Sequence, residues 1–325
     1  MSLVGDLTHS GVVRRRRRGV QVSTQSFRHE VAFYEGFRGL ASAVLPFVQE
    51  GIDRGEPTLV VMPPDRLDLL RATLGAQGHA VTWMDMFEVG RNPARIIPAW
   101  REFLTEHDGE VVRGVGEPIW ADRRDIELAE AVLHESLLNV AFDDGPSWRL
   151  LCPYDTEALP PAVVTEARRT HPEQDQYVGH EHAHVMFTQP LPRPPAGTFG
   201  MPFDGLMLAT VREVVRDQAE RIGLHPSTAD DLVLSVHELA ANSVQHAGGS
   251  GSLLVWQGTG ALVVEVQDLG RIDDVLVGRG AIDLGSEQGR GIWLANQLCD
   301  LVQVRSGSHG TQVRVHTWCD GAVSR

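Results

Sequence analysis

Between residues 27 and 172, short runs rich in β-branched and aromatic residues alternate with longer stretches whose apolar positions recur at helical spacing. The runs are 30–34, 58–62, 80–84, 111–115 and 148–152, and the longer stretches include 65–74, 93–107 and 122–142. Strands separated by helices pair in parallel, because a parallel neighbour is reached only through a crossover. A doubly wound, parallel α/β sheet is therefore expected over 27–172.

The pattern changes over 173–200, which carries several histidines and then a Pro-rich stretch, 189–195. Missing amide donors and fixed φ angles argue against regular structure there, so the segment reads as a linker. Beyond it, Leu208, Val211, Val215 and Ile222 form one face of a helix. A second helix is expected to start at a Ser227 cap with Asp230 three residues on, and to run to about His246. Strands at 252–257 and 261–267 joined by a Gly-Thr-Gly turn, a helix at 292–298 and strands at 301–305 and 312–317 complete the chain. The expected result is an α/β sandwich, with helices on one face of a mixed, largely antiparallel sheet.

Composition narrows the function. At 325 residues the chain accommodates two ordinary domains, and its 42% hydrophobic and 22% charged content is that of a soluble globular protein. No apolar run is long enough to span a bilayer and no secretory signal pattern is present, so a cytoplasmic protein without a membrane partner is expected. Cys152, Cys299 and Cys319 are widely spaced and odd in number, which fits reduced thiols. A net charge of −14 argues against direct nucleic-acid binding. The one basic patch, Arg14 to Arg18, lies in a segment, 1–26, that lacks apolar partners and reads as a disordered tail, as do 321–325. The sequence contains no lysine, which excludes P-loop NTPases, protein kinases of the common type and Schiff-base enzymes.

Candidate chemistry begins on the second C-terminal helix, where Glu238 and Asn242 are four residues apart and share a face. An Asn carbonyl with phosphate oxygens suits magnesium, and a neighbouring carboxylate can act as general base for attack on a γ-phosphate. Glu and Asn at this spacing are more often a solvated face, and His134-Glu135 with Asn139 repeats the outline of His237-Glu238 with Asn242. The residues downstream separate the two helices. After Asn242 comes a strand in which Leu262, Val264 and Val266 point inward, with Asp268 in phase and then Leu269-Gly270. A carboxylate there can accept a hydrogen bond from an adenine amino group, and the glycine admits close backbone approach. Gly289-Arg290-Gly291 precedes the helix at Ile292, whose first amides can receive phosphate, and Gly310-Thr311 opens the last strand. Asn139 has no comparable glycine segments after it.

These segments resemble the N, G1, G2 and G3 boxes of the GHKL ATPases over 201–320, and among them the anti-sigma-factor serine/threonine kinases, whose domain also has a Glu-x-x-x-Asn-x-x-x-His helix, here ending at His246. The resemblance implies a Bergerat-type fold with ATP and Mg2+ as cofactors. It also implies Glu238 as catalytic base, Asn242 as the metal residue, and His246, Asp268, Gly270, Gly289, Arg290, Gly291, Gly310 and Thr311 as nucleotide contacts. Many relatives carry a second glycine in the G1 box where this chain has Ile272. The implied partner is a sigma factor or a STAS-type anti-sigma antagonist. A module that binds ATP and sequesters its partner without phosphoryl transfer needs the same pocket. A sensor histidine kinase would need a phosphoacceptor hairpin that the Pro-rich segment does not supply.

The first half has a likeness of its own. Phe33-Tyr34-Glu35-Gly36, Val60 to Pro64, Gly116 to Trp120, His134 to Asn139 and Cys152-Pro153-Tyr154-Asp155 resemble the MEDS sensory domain, which implies a RecA-like α/β domain that senses a small molecule. Glu117, Trp120, Cys152 and Tyr154 fall at or after the carboxyl ends of strands, where open α/β sheets place ligands, although Trp120 and Tyr154 also read as core aromatics. His180, His182 and His184 alternate, so an extended segment would set them on one side, with His171 near, as a metal site. No carboxylate or cysteine set completes that site, and the linker reading is preferred.

Overall fold

The computed structural model describes residues 27–143, 145–258, 260–280 and 290–319. Arg14 to Arg18, Gly289 and the 321–325 tail lie outside them. The first half runs β1 (Arg28–Tyr34), α1 (Gly36–Arg54), β2 (Thr58–Met62), α2 (Pro64–Leu74), β3 (Val81–Asp85), α3 (Met86–Val89), α4 (Ile96–Glu106), β4 (Val112–Gly116), α5 (Asp125–Ala141), β5 (Trp148–Asp155) and α6 (Pro161–Thr170). Its five strands are all parallel, in the order β1-β5-β4-β2-β3.

Both faces of this sheet are covered, which is why strands such as β2 and β4 are buried at every position. Val44, Val48, Leu67 and Leu70 of α1 and α2 pack on Val60, Met62 and Val115. On the opposite face, Trp100 of α4 and Leu133 and Leu137 of α5 pack on Leu59, Val61, Leu150 and Cys152. Helices α2 and α5, which follow the adjacent strands β2 and β4, thus lie on opposite faces of the sheet. A crevice opens at such a switch point, at the carboxyl ends of these strands.

The stretch read as a linker contains a helix, α7 (Glu181–Thr188), with Ala183 and Phe187 buried in the first core. Two apolar residues four apart give this short helix something to pack against, which outweighs the polarity of its histidines. Residues 189–198 have neither helix nor strand. The second half then runs β6 (Phe199–Asp204), α8 (Leu208–Arg221), α9 (Pro226–His246), β7 (Ser250–Gly258), β8 (Ala261–Asp268), α10 (Arg290–Leu298), β9 (Leu301–Gly307) and β10 (Gly310–Trp318). Every pair in the order β6-β7-β8-β10-β9 is antiparallel, so the mixed character expected of this sheet is absent among the described residues. Strand β6 escapes the sequence pattern, because Gly200 and Pro202 interrupt its apolar alternation. The α9 cap also differs from expectation: Pro226 takes the first helical position and His225 Nδ1 accepts from the Ser227 amide at 3.4 Å.

Helices α8, α9 and α10 cover one face of this sheet through Val211, Val215, Leu232, Val236 and Ala295 against Leu253, Val255, Leu262, Val264 and Val266. The other face meets the first half. Glu130 of α5 is buried and accepts from Arg305 at 2.5 Å and from Gln303 at 3.2 Å, with Arg279 at 3.9 Å. Arg314 of β10 donates to the Pro192 carbonyl at 2.7 Å, and beyond the sheet Asn92 donates to the Asn296 side chain of α10 at 3.1 Å. Burial holds the Arg279 guanidinium down to about 10, with Glu130 opposing the fall. No helix among the described residues is long and apolar enough to cross a membrane.

Candidate functional site

A cavity of about 710 Å³ opens between α9, the end of β8 and the start of α10. Asn242, His246, Asp268, Gly270, Arg290 and Thr311 line it, so six of the sequence-predicted positions meet at one site. Asp268 continues the inward alternation of β8, whose Leu262, Val264 and Val266 are buried against the helices. Its carboxylate is fixed on both sides: Ser243 Oγ donates to Oδ2 at 2.6 Å and the Gly270 amide to Oδ1 at 2.8 Å. Each oxygen keeps acceptor capacity for a further donor. Thr311 Oγ1 donates to the Gly270 carbonyl at 2.9 Å and shares a hydrogen bond with Ser306, which accepts from the Ile272 amide at 2.8 Å. Ile272, where many relatives have glycine, thus lines the cavity with its backbone anchored.

Two glycines shape the rear of the site. Gly310 sits at φ +92°, and a Cβ there would fall 2.1 Å from the Asp268 carbonyl, so no other residue lets β10 start this close to β8. A Cβ on Gly291 would lie 2.4 Å from Asn242 Nδ2 and 3.3 Å from Glu238 Cβ. The start of α10 is therefore pressed onto the face of α9 that carries Glu238 and Asn242, both half-buried. Glu238, Gly291 and Gly310 stand behind or beside the cavity rather than on its lining. Gly289 belongs to the undescribed segment.

Sequence reasoning missed several contributors. Ser243 adjoins Asn242 and is the residue that orients Asp268, but a serine in a helix carries no signal of its own. Arg101 comes from α4 in the first half, lines this cavity and donates to the Arg279 carbonyl at 3.4 Å. Burial lowers its pKa. No local pattern could connect residues so far apart in sequence.

The four residues predicted for a sensory pocket do not gather at one place. Glu117 comes directly after β4 at the switch point, fully buried, accepting from Tyr34 and paired with Arg66, both at 2.7 Å. Burial pushes its pKa up to about 8 against the pull of Arg66 and the Tyr34 hydroxyl. Trp120 lines a neighbouring cleft of about 840 Å³ with Pro63, Arg66, Asp85, Phe87 and Arg95. Cys152 and Tyr154 instead point into the core on the α5 side, because residues two apart on β5 share a face. The histidines weighed as a metal set also separate: His180 lies 3.7 Å from Asp143, His182 3.2 Å from Glu166, and His171 is buried elsewhere. As a helix, the 181–188 segment cannot align alternate residues on one side.

Comparison with known proteins fits this division. Residues 28–172 match the family described as MEDS: MEthanogen/methylotroph, DcmR Sensory domain. Residues 203–317 match the histidine kinase-like ATPase domain family. Among solved structures, the RsbU and RsbW domains of Rv1364c from Mycobacterium tuberculosis align at 21% identity and a TM-score of 0.30. That alignment covers 39% of this chain and 33% of the other, so the chain spans about a third of that protein's length. No curated protein matches. The first half of the chain is thus similar to the MEDS sensory domain family, and the second half to the histidine kinase-like ATPase domain family.

Proposed function

We propose that the chain is a signalling protein in which a small-molecule sensory domain governs an ATP-dependent serine/threonine protein kinase. The observation that carries this reading is the gathering of Asn242, Asp268, Gly270, Arg290 and Thr311 around one cavity, with Glu238 on the same face of α9 as Asn242. In this reading Asp268 accepts the adenine amino group, Asn242 holds Mg2+ against the phosphates, and Arg290 and the first amides of α10 receive phosphate charge. His246 and Gly310 complete the nucleotide contacts, and Gly289 is assigned to the phosphate turn by sequence. Glu238 is the general base that takes the proton of the attacking hydroxyl. By the sequence likeness, the hydroxyl belongs to a small STAS-type antagonist, and the regulated protein is a sigma factor.

The sensory site is placed at the switch-point cleft with Trp120, next to buried Glu117. Coupling runs through α4 and α5. Arg101 of α4 lines the nucleotide cavity, and Glu130 of α5 holds Arg305, Gln303 and Arg279. A shift of either helix on ligand binding alters the nucleotide cavity wall. Transfer of labelled γ-phosphate from ATP to co-encoded candidate partners tests the kinase reading. Transfer that requires Mg2+ and disappears in Glu238→Ala is the expected result. Tight partner binding without any transfer by the wild-type chain would replace the kinase with a sequestering module.

A further inference from the structure

On the α5 side of the first sheet, four potential metal donors converge from four separate elements: His29 of β1, Glu135 of α5, Cys152 of β5 and His171 just after α6. One donor atom of each lies within 4.8 Å of all the others, and all four residues are buried. His29 Nε2 is 3.3 Å from Cys152 Sγ and 3.3 Å from Glu135 Oε2, and His171 Nε2 is 3.5 Å from the same oxygen. A tetrahedral ion with bonds of roughly 2.0–2.3 Å has donor–donor edges of roughly 3.3–3.8 Å. Three of the six edges already have that length.

The far side of each imidazole sets its tautomer. Asn139 donates its amide to the Thr170 carbonyl at 2.7 Å, which leaves its oxygen facing His29 Nδ1 at 3.1 Å. His171 Nδ1 lies 2.7 Å from the Ala167 carbonyl. Both Nδ1 atoms face acceptors and carry the proton, so both Nε2 atoms turn lone pairs inward. They meet a carboxylate, and neither oxygen of Glu135 nor His171 Nε2 has a hydrogen bond of good geometry. The Cys152 thiol and the Tyr154 hydroxyl, which also faces Glu135, bring two protons, too few for two imidazole lone pairs and both oxygens of the carboxylate. A dipositive ion satisfies all of them, and imidazoles oriented by an amide and a carbonyl have the outer-shell arrangement of metal ligands.

We propose that His29 Nε2, Glu135, Cys152 Sγ and His171 Nε2 form a structural site for a four-coordinate transition metal of the zinc type. Thiolate, imidazole and carboxylate together suit zinc over magnesium or calcium, which prefer oxygen alone. Closure by four protein donors leaves no open position for substrate, so the role is to tie β1, α5, β5 and the end of α6 together. Cys152, His29 and Asn139 also stand in the order of a thiol–imidazole–amide triad, but their burial leaves no surface from which a substrate could reach the sulfur. The proposal is independent of the nucleotide-site reading.

The test uses the full chain without an affinity tag, stripped with a chelator and titrated with Co2+ and then Zn2+. The expected result is one ion per chain, a thiolate-to-cobalt charge-transfer band with the intense visible absorption of a four-coordinate ion, and its loss on adding one equivalent of Zn2+. Cys152→Ser removes the charge-transfer band, whereas Cys299→Ser and Cys319→Ser keep it. Asn139→Ala weakens zinc affinity about 10- to 100-fold through loss of ligand orientation. His184→Ala, on an exposed position of α7, keeps wild-type affinity. A folded wild-type chain that gives no such band, or a band that persists in Cys152→Ser, overturns the proposal. The wild-type spectrum decides even where a variant fails to fold.

Discussion

Helices α5 and α9 carry the same outline, His134-Glu135 with Asn139 and His237-Glu238 with Asn242, and their surroundings give it opposite meanings. On α5, Glu135 and Asn139 are buried at 1% and 4% exposure, and both serve the packing of β1 and the end of α6. On α9 the equivalent pair is half-buried, and Asn242 lines a cavity large enough for a nucleotide. The difference lies in the segments downstream of each helix. After α9 the chain supplies a carboxylate at a strand end and glycines that let α10 and β10 approach closely. After α5 it supplies β5, whose Cys152 and Tyr154 fill the space with side chains. A pair of residues at helical spacing defines a face, and the neighbours decide whether that face is core or site.

The largest effect that sharpens this contrast is kinetic. Glu238→Ala is expected to lower the rate of phosphate transfer by about 10²- to 10⁴-fold while ATP affinity stays within a few-fold, because a general base acts on the proton and not on adenine. Asn242→Ala is expected to weaken Mg2+-dependent binding as well. Single-turnover transfer and equilibrium nucleotide titration on both variants separate the two roles. Equal losses of affinity in both would merge them.

Next in size is the joint between the halves. Removing Glu130 leaves Arg305 and Arg279 buried without their carboxylate. Truncating one partner of a buried ion pair typically costs about 3–5 kcal/mol. Urea denaturation of Glu130→Ala is expected to register a loss of that order, and Gln303→Ala a smaller one. A loss under about 1 kcal/mol from Glu130→Ala would mean that the Glu130 network contributes little to holding the halves together.

Much of this organisation was legible in the sequence. Short β-rich runs between helical stretches located all five parallel strands, most plainly the interior β2 and β4, which are buried on both faces and carry few polar residues. The order of Glu238, Asn242, Asp268, Gly291 and Gly310 pointed to the region where the cavity lies, because each residue type answers a local demand of backbone or ligand. What stayed hidden depends on contacts between distant segments. Arg101 and Ser243 entered the site only in three dimensions, and α7 was obscured by histidines that pair with Asp143 and Glu166 rather than with one another. The His29, Glu135, Cys152 and His171 cluster spans the whole first half, so spacing could not announce it.

A smaller effect arises from Glu117. Its carboxyl rises from an ordinary 4.5 to about 8 on folding, so the folded chain binds this proton more tightly than the unfolded one. The stability it contributes is full below the ordinary carboxyl range and is lost as pH rises through about 8. Across that window the slope is at most about 1.4 kcal/mol per pH unit. Denaturation profiles of wild type and Glu117→Gln are expected to differ by this declining component. Parallel profiles would mean that Glu117 stays ionised beside Arg66 across the whole range.

The central claim is that the cavity beside α9 holds ATP through Asp268. Its most direct test is the change in melting temperature of the full chain on adding Mg2+-ATP, for wild type and Asp268→Asn. A ligand that binds only the folded state stabilises it by about 2.7 kcal/mol at a concentration 100 times its Kd. The account predicts a clear upward shift for wild type that Asp268→Asn largely removes, since an amide in place of the carboxylate loses the charged acceptor held by Ser243 and Gly270. A folded wild-type chain whose melting temperature does not move with ATP, or an equal shift in Asp268→Asn, would contradict it.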